Sequence, residues 1–503
     1  MEKVKITAPS LGGVTITGIT NSDSTVQFRG LQYASIEKRY DYPIAVDKYD
    51  SDVDATKHGA IPPQPARVAS PVIPKDQLPT SSAPQDEFAC LNLNITRPKT
   101  ITGKIPVIVW IFPGANTFGS ASDKSYDPTT LVTRSANKNL PVLFVNVNYR
   151  LSLLGFVYVD GRANHSMYDQ TAALAWVKAH IEDFGGDSTN MTLMGESAGS
   201  LMTHYHSLDP ASKGLFKRIG LMSTVIESRT PFPLGDAKGL AAKAKELCGA
   251  ASDEELKKVP VETLIDYAVP IIGGMYGPVN DGGWLGDLAA DPTPYIDRLP
   301  LEGIEAVMMG NTRFESIFYK PKIALIPTAT RYERLLEVPV VGKWLAEEYK
   351  IVPDSDKEEE SLDNLVQMYD DISYGQPIDM TVRRFNESGR FKTFHYLFDE
   401  PNPYLASLDA HHGVDVLFLF NSFKFDKKFD SFVDKYQTGW IRFANGLEPW
   451  GENVKQVVML NQDIKPREEG EYEVRRRAEA FAKLNAYRHQ YDAYNITKRF
   501  LYV

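Results

Sequence analysis

Residues 190–200, Asn-Met-Thr-Leu-Met-Gly-Glu-Ser-Ala-Gly-Ser, hold a serine whose surroundings suit a nucleophile. Met191, Leu193 and Met194 read as a buried strand, and Ala198 to Leu208 suit a helix. Between them, Gly195-Glu196-Ser197-Ala198-Gly199 forms a Gly-x-Ser-x-Gly turn. A sharp strand-to-helix turn of this kind strains the serine backbone and lifts its hydroxyl clear of the sheet. The glycines on either side leave room where strand and helix cross. The helix start beneath the hydroxyl presents free N–H groups that favour negative charge. Acyl transfer through a serine hydroxyl is the chemistry such a site could perform. The five residues alone also fit a helix start packed with small side chains.

A serine nucleophile needs a base, and the base needs an acid to orient it. After an elbow of this type the acid and then the histidine follow along the chain, each on a loop after a strand. Glu315, in Gly310-Asn-Thr-Arg-Phe-Glu-Ser316, follows the apolar strand Ile304–Met309. It also suits a helix-start carboxylate. Of nine histidines, His411 and His412 lie in Asp409-Ala-His-His-Gly-Val-Asp415, after the alternating strand Phe391–Phe398. Position alone leaves the two open. His204 and His206 fall on the helix after Ser197, point away from it, and read as helix-surface or packing residues.

The elements that must position these residues are mostly strands. Residues 3 to 33 alternate apolar and polar side chains, as antiparallel strands at a sheet edge do. Residues 34 to 88 read as a long surface excursion, where Pro62, Pro63, Pro65, Pro71, Pro74, Pro79 and Pro84 exclude a regular helix. Cys90–Thr96 alternates as a strand. Ile105–Phe112 and Pro141–Asn148 are unbroken apolar runs, the pattern of strands buried on both faces of a parallel sheet. A helix is expected over 168–183, a strand over Phe216–Met222, and helices over Ala237–Leu247, Asp253–Val259 and Val261–Ala268. Strand and helix alternate, which predicts an α/β fold with a large central, mostly parallel twisted sheet and helices on both faces. Residues 320 to 390 read as a helical insertion over the site, with a solvated charge run at Asp354–Glu360. Asp434–Ala444 is helical, and Glu471–Tyr491 reads as one long final helix whose Arg475-Arg476-Arg477 run faces solvent. Neither repeat nor low-complexity linker divides the 503 residues, so a single domain over 1–503 is expected.

With 43% hydrophobic residues the chain can bury a large core, yet no run of eighteen apolar residues suggests a membrane span. A formal charge of −10 argues against nucleic acid as a partner. The start, Met1-Glu-Lys-Val-Lys-Ile, lacks the pattern of a signal peptide. Cys90 and Cys248 are the only cysteines and read as isolated thiols. A cytoplasmic protein is expected, the alternative being a secreted one whose signal has been removed. The sequons at Asn94, Asn164, Asn190, Asn386 and Asn495 read as chance matches.

Several motifs in order give the chain its resemblance. Asn148-Tyr-Arg-Leu, Gly155-Phe156, Asp169-Gln170, Ala173-Leu-Ala-Trp-Val177, Phe184-Gly-Gly-Asp187, Gly195–Ser200, Gly310–Glu315, His412-Gly413 with Asp415, Phe443-Ala-Asn-Gly446 and Pro449-Trp450 span nearly its full length. Together they resemble the type-B carboxylesterase/lipase family, which includes the cholinesterases. The resemblance implies an α/β-hydrolase fold, with Ser197 as nucleophile, His412 rather than His411 as base, and Glu315 as orienting acid. It implies oxyanion donors at Gly114, Ala115 and Ala198, and a water-ordering role for Glu196. Gorge positions fall on Phe318 and Tyr319, which with Phe118 and Trp284 imply an apolar pocket.

Three departures stand out. The family's usual His-Gly-Gly-Gly is Phe112-Pro-Gly-Ala115 here. Pro113 lacks an N–H, at a position that is not an expected donor, and the Ala115 methyl narrows the hole. Cys90 matches a half-cystine of relatives, but Pro62-Pro-Gln-Pro65 stands where its partner belongs. No tryptophan lies between Pro65 and Cys90, so a choline-stacking site is not expected. The resemblance implies hydrolysis of a small to medium apolar ester through an acyl-enzyme, without metal or organic cofactor. Lactone opening or acyl transfer on a specialised substrate is the alternative. A non-catalytic adhesion module is disfavoured because all three triad positions are kept.

Overall fold

The computed structural model describes residues 2–22, 24–66, 72–73, 83–272, 276–286, 288, 293–423, 425–468, 470–487, 489–491 and 493–501. Twelve strands build the sheet: β1 (Lys3–Ala8), β2 (Val14–Thr20), β3 (Thr25–Gln32), β4 (Asn92–Pro98), β5 (Ile105–Ile111), β6 (Leu143–Val147), β7 (Gly186–Glu196), β8 (Arg218–Met222), β9 (Ala306–Thr312), β10 (Lys392–Phe398), β11 (Gln456–Leu460) and β12 (Asp463–Pro466). Val53–Asp54 adds a short parallel strand beside β2. The spatial order is β1-β2-β3-β4-β6-β5-β7-β8-β9-β10-β11-β12. From β6 to β11 every pairing is parallel. The edges β1–β4 and β12 are antiparallel, as the early alternation predicts. This is the α/β-hydrolase architecture expected above.

The apolar runs of β6, β8 and β9 are buried along their whole length, because helices cover both faces of the sheet. Five helices matter most for the site: α1 (His165–His180), α2 (Ala198–Leu208), α3 (Glu358–Asp370), α4 (Gln376–Ser388) and α5 (Asp430–Ala444). The chain steps from β5 back to β6 and then across to β7, on the other side of β5. Ligand sites of open α/β sheets form at such a reversal, beyond the carboxyl ends of the strands. Here those ends are Ile111 and Glu196, on neighbouring parallel strands paired in register at Ile111 and Gly195.

Two of the resembling motifs are structural. Arg150 grips Asp169 of α1 in a bidentate pair, Nε–Oδ2 2.8 Å and Nη2–Oδ1 2.7 Å. Both side chains are buried, so loss of either partner would cost about 3–5 kcal/mol. Asn148 accepts the Ala121 N–H and donates to Asn92, tying the oxyanion side of the sheet to β4.

Between residues 320 and 388 lie short helices with their own apolar cluster, which includes Ile323, Leu335, Val341, Leu345, Leu362 and Leu365. Ile496 and Phe500 of the final helix complete it, so the insertion is closed by residues far along the chain. Asp354–Glu360 is exposed, as expected for a solvated run. In the excursion 34–88 the described residues contain no α-helix; Pro71, Pro74 and Pro79 lie outside the described residues. Both cysteines are free thiols. Asn94 and Asn164 are buried, with Asn94 donating to the Ala121 carbonyl.

The C-terminal segment corrects one expectation. Instead of one helix over 471–491, the chain forms Glu471–Arg475, Ala478–Ala486 and Ala493–Leu501. Arg476 is extended, at φ −134° and ψ 162°. The arginine run is not a uniformly solvated face: Arg476 is buried, Arg475 half-buried and Arg477 exposed. Arg475 and Arg476 both reach the buried Asp399, at 3.2 and 2.9 Å, and Arg477 reaches the buried Asp371 at 2.9 Å. Helical periodicity marks charged residues as outward; buried carboxylates elsewhere in the chain drew these inward.

Candidate active site

Ser197 sits between β7 and α2 at φ 53° and ψ −122°, a conformation that costs a non-glycine residue energy. The elbow is held from three sides. Ser197 N–H donates to the Met222 carbonyl at 3.0 Å, the Ser197 carbonyl accepts from Leu201 N–H, and Ser223 N–H donates to the Gly310 carbonyl at 2.8 Å. Only glycine fits at 199: a Cβ there would lie 2.0 Å from the Ile111 carbonyl oxygen. That close approach is what brings the β5 loop beside the serine.

The loops after β9 and β10 meet at the same place. Phe314 N–H donates to the Ala410 carbonyl, and Phe314 bridges to His411, which stitches the two loops together. Glu315 is buried, and its Oε1 accepts the Thr312 N–H at 2.7 Å. Its Oε2 lies 2.6 Å from His412 Nδ1. His412 Nε2 lies 2.8 Å from Ser197 Oγ. A carboxylate can only accept, so Nδ1 carries a proton and Nε2 is free to accept from the serine. His411 is occupied elsewhere: its Nδ1 faces the His412 carbonyl and its Nε2 faces Asn402, both at 2.8 Å. Burial pushes His411 down to about 4.

Glu196 Oε1 lies 3.2 Å from His412 Nε2. Burial raises the Glu196 carboxyl to about 8, against the pull of His412. Burial would lower His412, but attraction to Glu196 and the hydrogen bond to Glu315 outweigh it and raise the imidazolium above its ordinary value. Burial also raises the Asp415 carboxyl, to about 7, against the pull of His412.

The β5 loop has Gly114, Ala115 and Asn116 all at positive φ, 122°, 55° and 55°. Thr117 N–H and Phe118 N–H both bond to the Gly114 carbonyl, while Tyr276 N–H bonds to that of Ala115. Asn116 fixes the loop further by donating Nδ2–H to the Tyr276 carbonyl at 2.8 Å. Among the described residues no protein acceptor takes the Gly114, Ala115 or Ala198 amide protons. An amide cluster of this kind beside a serine hydroxyl can hold an oxyanion.

A cavity of about 70 Å³ opens beside Ser197, Ala198 and Ala115. Its lining mixes Leu201 and tyrosine rings with hydroxyl, amide and guanidinium groups from Asn116, Thr224, Ser228, Arg229, Ser373 and Thr497.

The carboxylesterase family model matches residues 3–491. The chain belongs to the carboxylesterase family. It is 29% identical over 459 residues to Lipase 3 of Yarrowia lipolytica, covering 88% of this chain and 89% of that protein. It is 25% identical over 494 residues to the para-nitrobenzyl esterase of Bacillus subtilis, covering 91% and 96%. A relative from Byssochlamys spectabilis, 31% identical over 54% of this chain and 49% of its own length, carries the name inactive carboxylesterase-like protein. The chain is a carboxylic-ester hydrolase.

Not every expected pocket residue of this carboxylesterase lines the cavity. Tyr319 does, hydrogen-bonded through its hydroxyl to Tyr374 at 3.2 Å. Phe118 and Phe318 are outside the lining; Phe318 is 39% exposed, its ring edge-on to His411. Trp284 is buried elsewhere, donating to Thr171 and packed against His206. The side chains of His204 and His206 are buried rather than at a helix surface. His204 accepts the Ile226 N–H, and His206 bonds Ser212 and Gln170. Arg229, Tyr276, Ser373, Tyr374 and Thr497 were missed, because they come from four distant segments with no shared motif.

The loop invites a direct test. Gly114→Ala would place a methyl 2.2 Å from the Phe118 carbonyl oxygen, at a φ that L-residues avoid. The loop must move, and loss of one oxyanion donor costs about 10²–10³ in kcat. A Gly114→Ala enzyme that keeps full kcat would remove Gly114 from that role.

Proposed function

We propose that this carboxylesterase hydrolyses short-chain esters in two steps, with Ser197, His412 and Glu315 as its triad. Ser197 Oγ attacks the ester carbonyl while His412 Nε2 takes its proton. Glu315 holds Nδ1–H and stabilises the imidazolium. The Gly114, Ala115 and Ala198 amides receive the oxyanion. His412 then protonates the leaving alkoxide, and water releases the acyl group by the same route. The hydrogen-bond chain from Ser197 Oγ through His412 to Glu315, 2.8 and 2.6 Å long, carries this reading. Glu196, beside Nε2 on the other side, is assigned the ordering of the attacking water.

Cavity size sets the expected chain-length profile. Burying each methylene is worth about 0.8 kcal/mol, so four extra methylenes in a long pocket would raise kcat/KM by roughly 200-fold. The cavity beside Ser197 is small, about 70 Å³, and a short acyl group is assigned to it. Across p-nitrophenyl acetate to octanoate, kcat/KM is expected to peak at or below butanoate and fall by octanoate. A continuous rise to octanoate would refute the short-chain assignment. A serine-reactive phosphonate should label Ser197 stoichiometrically; an unlabelled, folded protein would refute the nucleophile.

A further inference from the structure

Two separate segments supply much of the cavity wall beside Ser197. The loop after β8 gives Thr224, Ser228 and Arg229; a second run gives Tyr369, Ser373 and Tyr374. That second run is the end of α3 and a π-helical turn, Asp371–Gly375, from which α4 continues. Such turns are rare and cluster at functional sites. Three side chains of α2, the helix that follows Ser197, hold the first segment. Ser200 Oγ donates to the Thr224 carbonyl, His204 Nδ1 accepts the Ile226 N–H at 3.1 Å, and the Tyr205 hydroxyl donates to the Arg229 carbonyl at 3.2 Å. Glu227 reaches α4 instead: its Oε1 lies 2.7 Å from Arg384 Nη2. The Glu227 side chain is 1% exposed and that of Arg384 16%. Neither side chain has a hydrogen-bond partner among the described residues. His204 stands 4.0 Å from Glu227, but burial lowers it to about 4, so near pH 7 it is neutral and offers no charge.

Among the described residues, Glu227 and Arg384 are thus each other's only charged partner. A buried ion pair adds little stability over apolar packing of the same volume, yet neither partner can move away without leaving a charge unpaired. Such a pair therefore fixes the separation of the elements that carry it. Here those elements are the loop that gives one part of the cavity wall and the helix that continues from the other. We infer that the Glu227–Arg384 pair sets the width of the acyl cavity and so limits the enzyme to short acyl groups. Neither residue lines the cavity. Both are positioning residues: Glu227 acts through Ser228 and Arg229, and Arg384 through α4 and the Asp371–Gly375 turn. This inference rests on the triad and short-chain readings above.

The test is the ratio of kcat/KM for p-nitrophenyl octanoate to that for p-nitrophenyl butanoate. Each methylene newly admitted is worth roughly fourfold, so room for two more raises the ratio by about 15-fold. That rise is expected in Glu227→Gln and in Arg384→Met. Arg384→Lys keeps the charge and is expected to keep most of the parent's preference; a full rise there would overturn the ion pair as the tie. A merely structural loss would slow both esters alike and leave the ratio where it was. The rates at which butyl and octyl phosphonates label Ser197 give the same ratio without turnover, so a slow variant still reports. Where a single variant is not labelled, Glu227→Gln/Arg384→Met, which leaves neither charge buried, takes its place with the same expected rise. Parent enzyme that neither turns over ester nor is labelled defeats the triad reading. Labelled parent enzyme that prefers octanoate defeats the short-chain reading. Parent enzyme that prefers butanoate, with a ratio unchanged in every variant, defeats the Glu227–Arg384 inference alone.

Discussion

Ser197→Ala is expected to lower kcat on p-nitrophenyl butanoate by about 10⁶, to the residue of rate that binding and the oxyanion amides supply by themselves. The variant loses the attacking oxygen and little else. Its backbone must still adopt φ 53° and ψ −122°, and the Ser197 amide still donates to Met222. One side-chain hydrogen bond is lost, that to His412. Tm should therefore change little. A second consequence separates the nucleophile from a bystander: the variant should no longer take up a phosphonate, while KM for the ester stays within a few-fold. Activity above about one percent of the parent, in protein shown free of parent enzyme, would contradict the assignment.

Glu315→Gln is expected to cost about 10⁴ in kcat, through the tautomer of His412. The Thr312 N–H decides how the new amide sits. In the parent it donates to Glu315 Oε1 at 2.7 Å. A glutamine that keeps this bond must turn its NH₂ toward His412 Nδ1. Nδ1 then has to accept, the imidazole proton moves to Nε2, and Nε2 can no longer take the serine proton. The flipped amide would set its NH₂ against the Thr312 N–H, donor against donor. Both orientations lose the working arrangement. The pH profile should also move. Burial lowers His412, but Glu196 and Glu315 raise it overall. Activity needs neutral His412, so it is lost as pH falls through that raised pKa. Removing the Glu315 charge lowers the pKa and shifts the acid limb of kcat/KM to lower pH. A Glu315→Gln enzyme with the parent's acid limb and rate would show that Glu315 does not act through His412.

The Glu315 loop has further support that no local pattern announces. Ser316 N–H donates to Asp370 at the end of α3, and the Thr312 carbonyl accepts from Arg476, itself paired with Asp399. Residues from the insertion and from the C-terminal segment thus hold the loop that carries the acid. Arg475, Arg476 and Arg477 read as a solvated face because sequence periodicity cannot register carboxylates buried some hundred residues away.

What the sequence determined by itself are the features that depend on neighbours along the chain. Continuous apolar runs fixed which strands lie deep in the sheet, since both of their faces must be covered. The Gly195–Gly199 spacing fixed the elbow, since a Gly-x-Ser-x-Gly turn between an apolar strand and a helix strains the serine and lifts its hydroxyl clear. Loops after β9 and β10 fixed where an acid and a histidine could stand. Tertiary structure decided what depends on packing between distant segments. It gave His411 to Asn402 and left His412 facing Ser197, across 215 positions of chain. It turned Phe318 outward and buried Trp284 away from the cavity. It also placed Asn116 and Ser373, from the β5 loop and a π-helical turn, around one small space. Periodicity records which side of an element is buried, not which element it will meet; a cavity is made by that meeting.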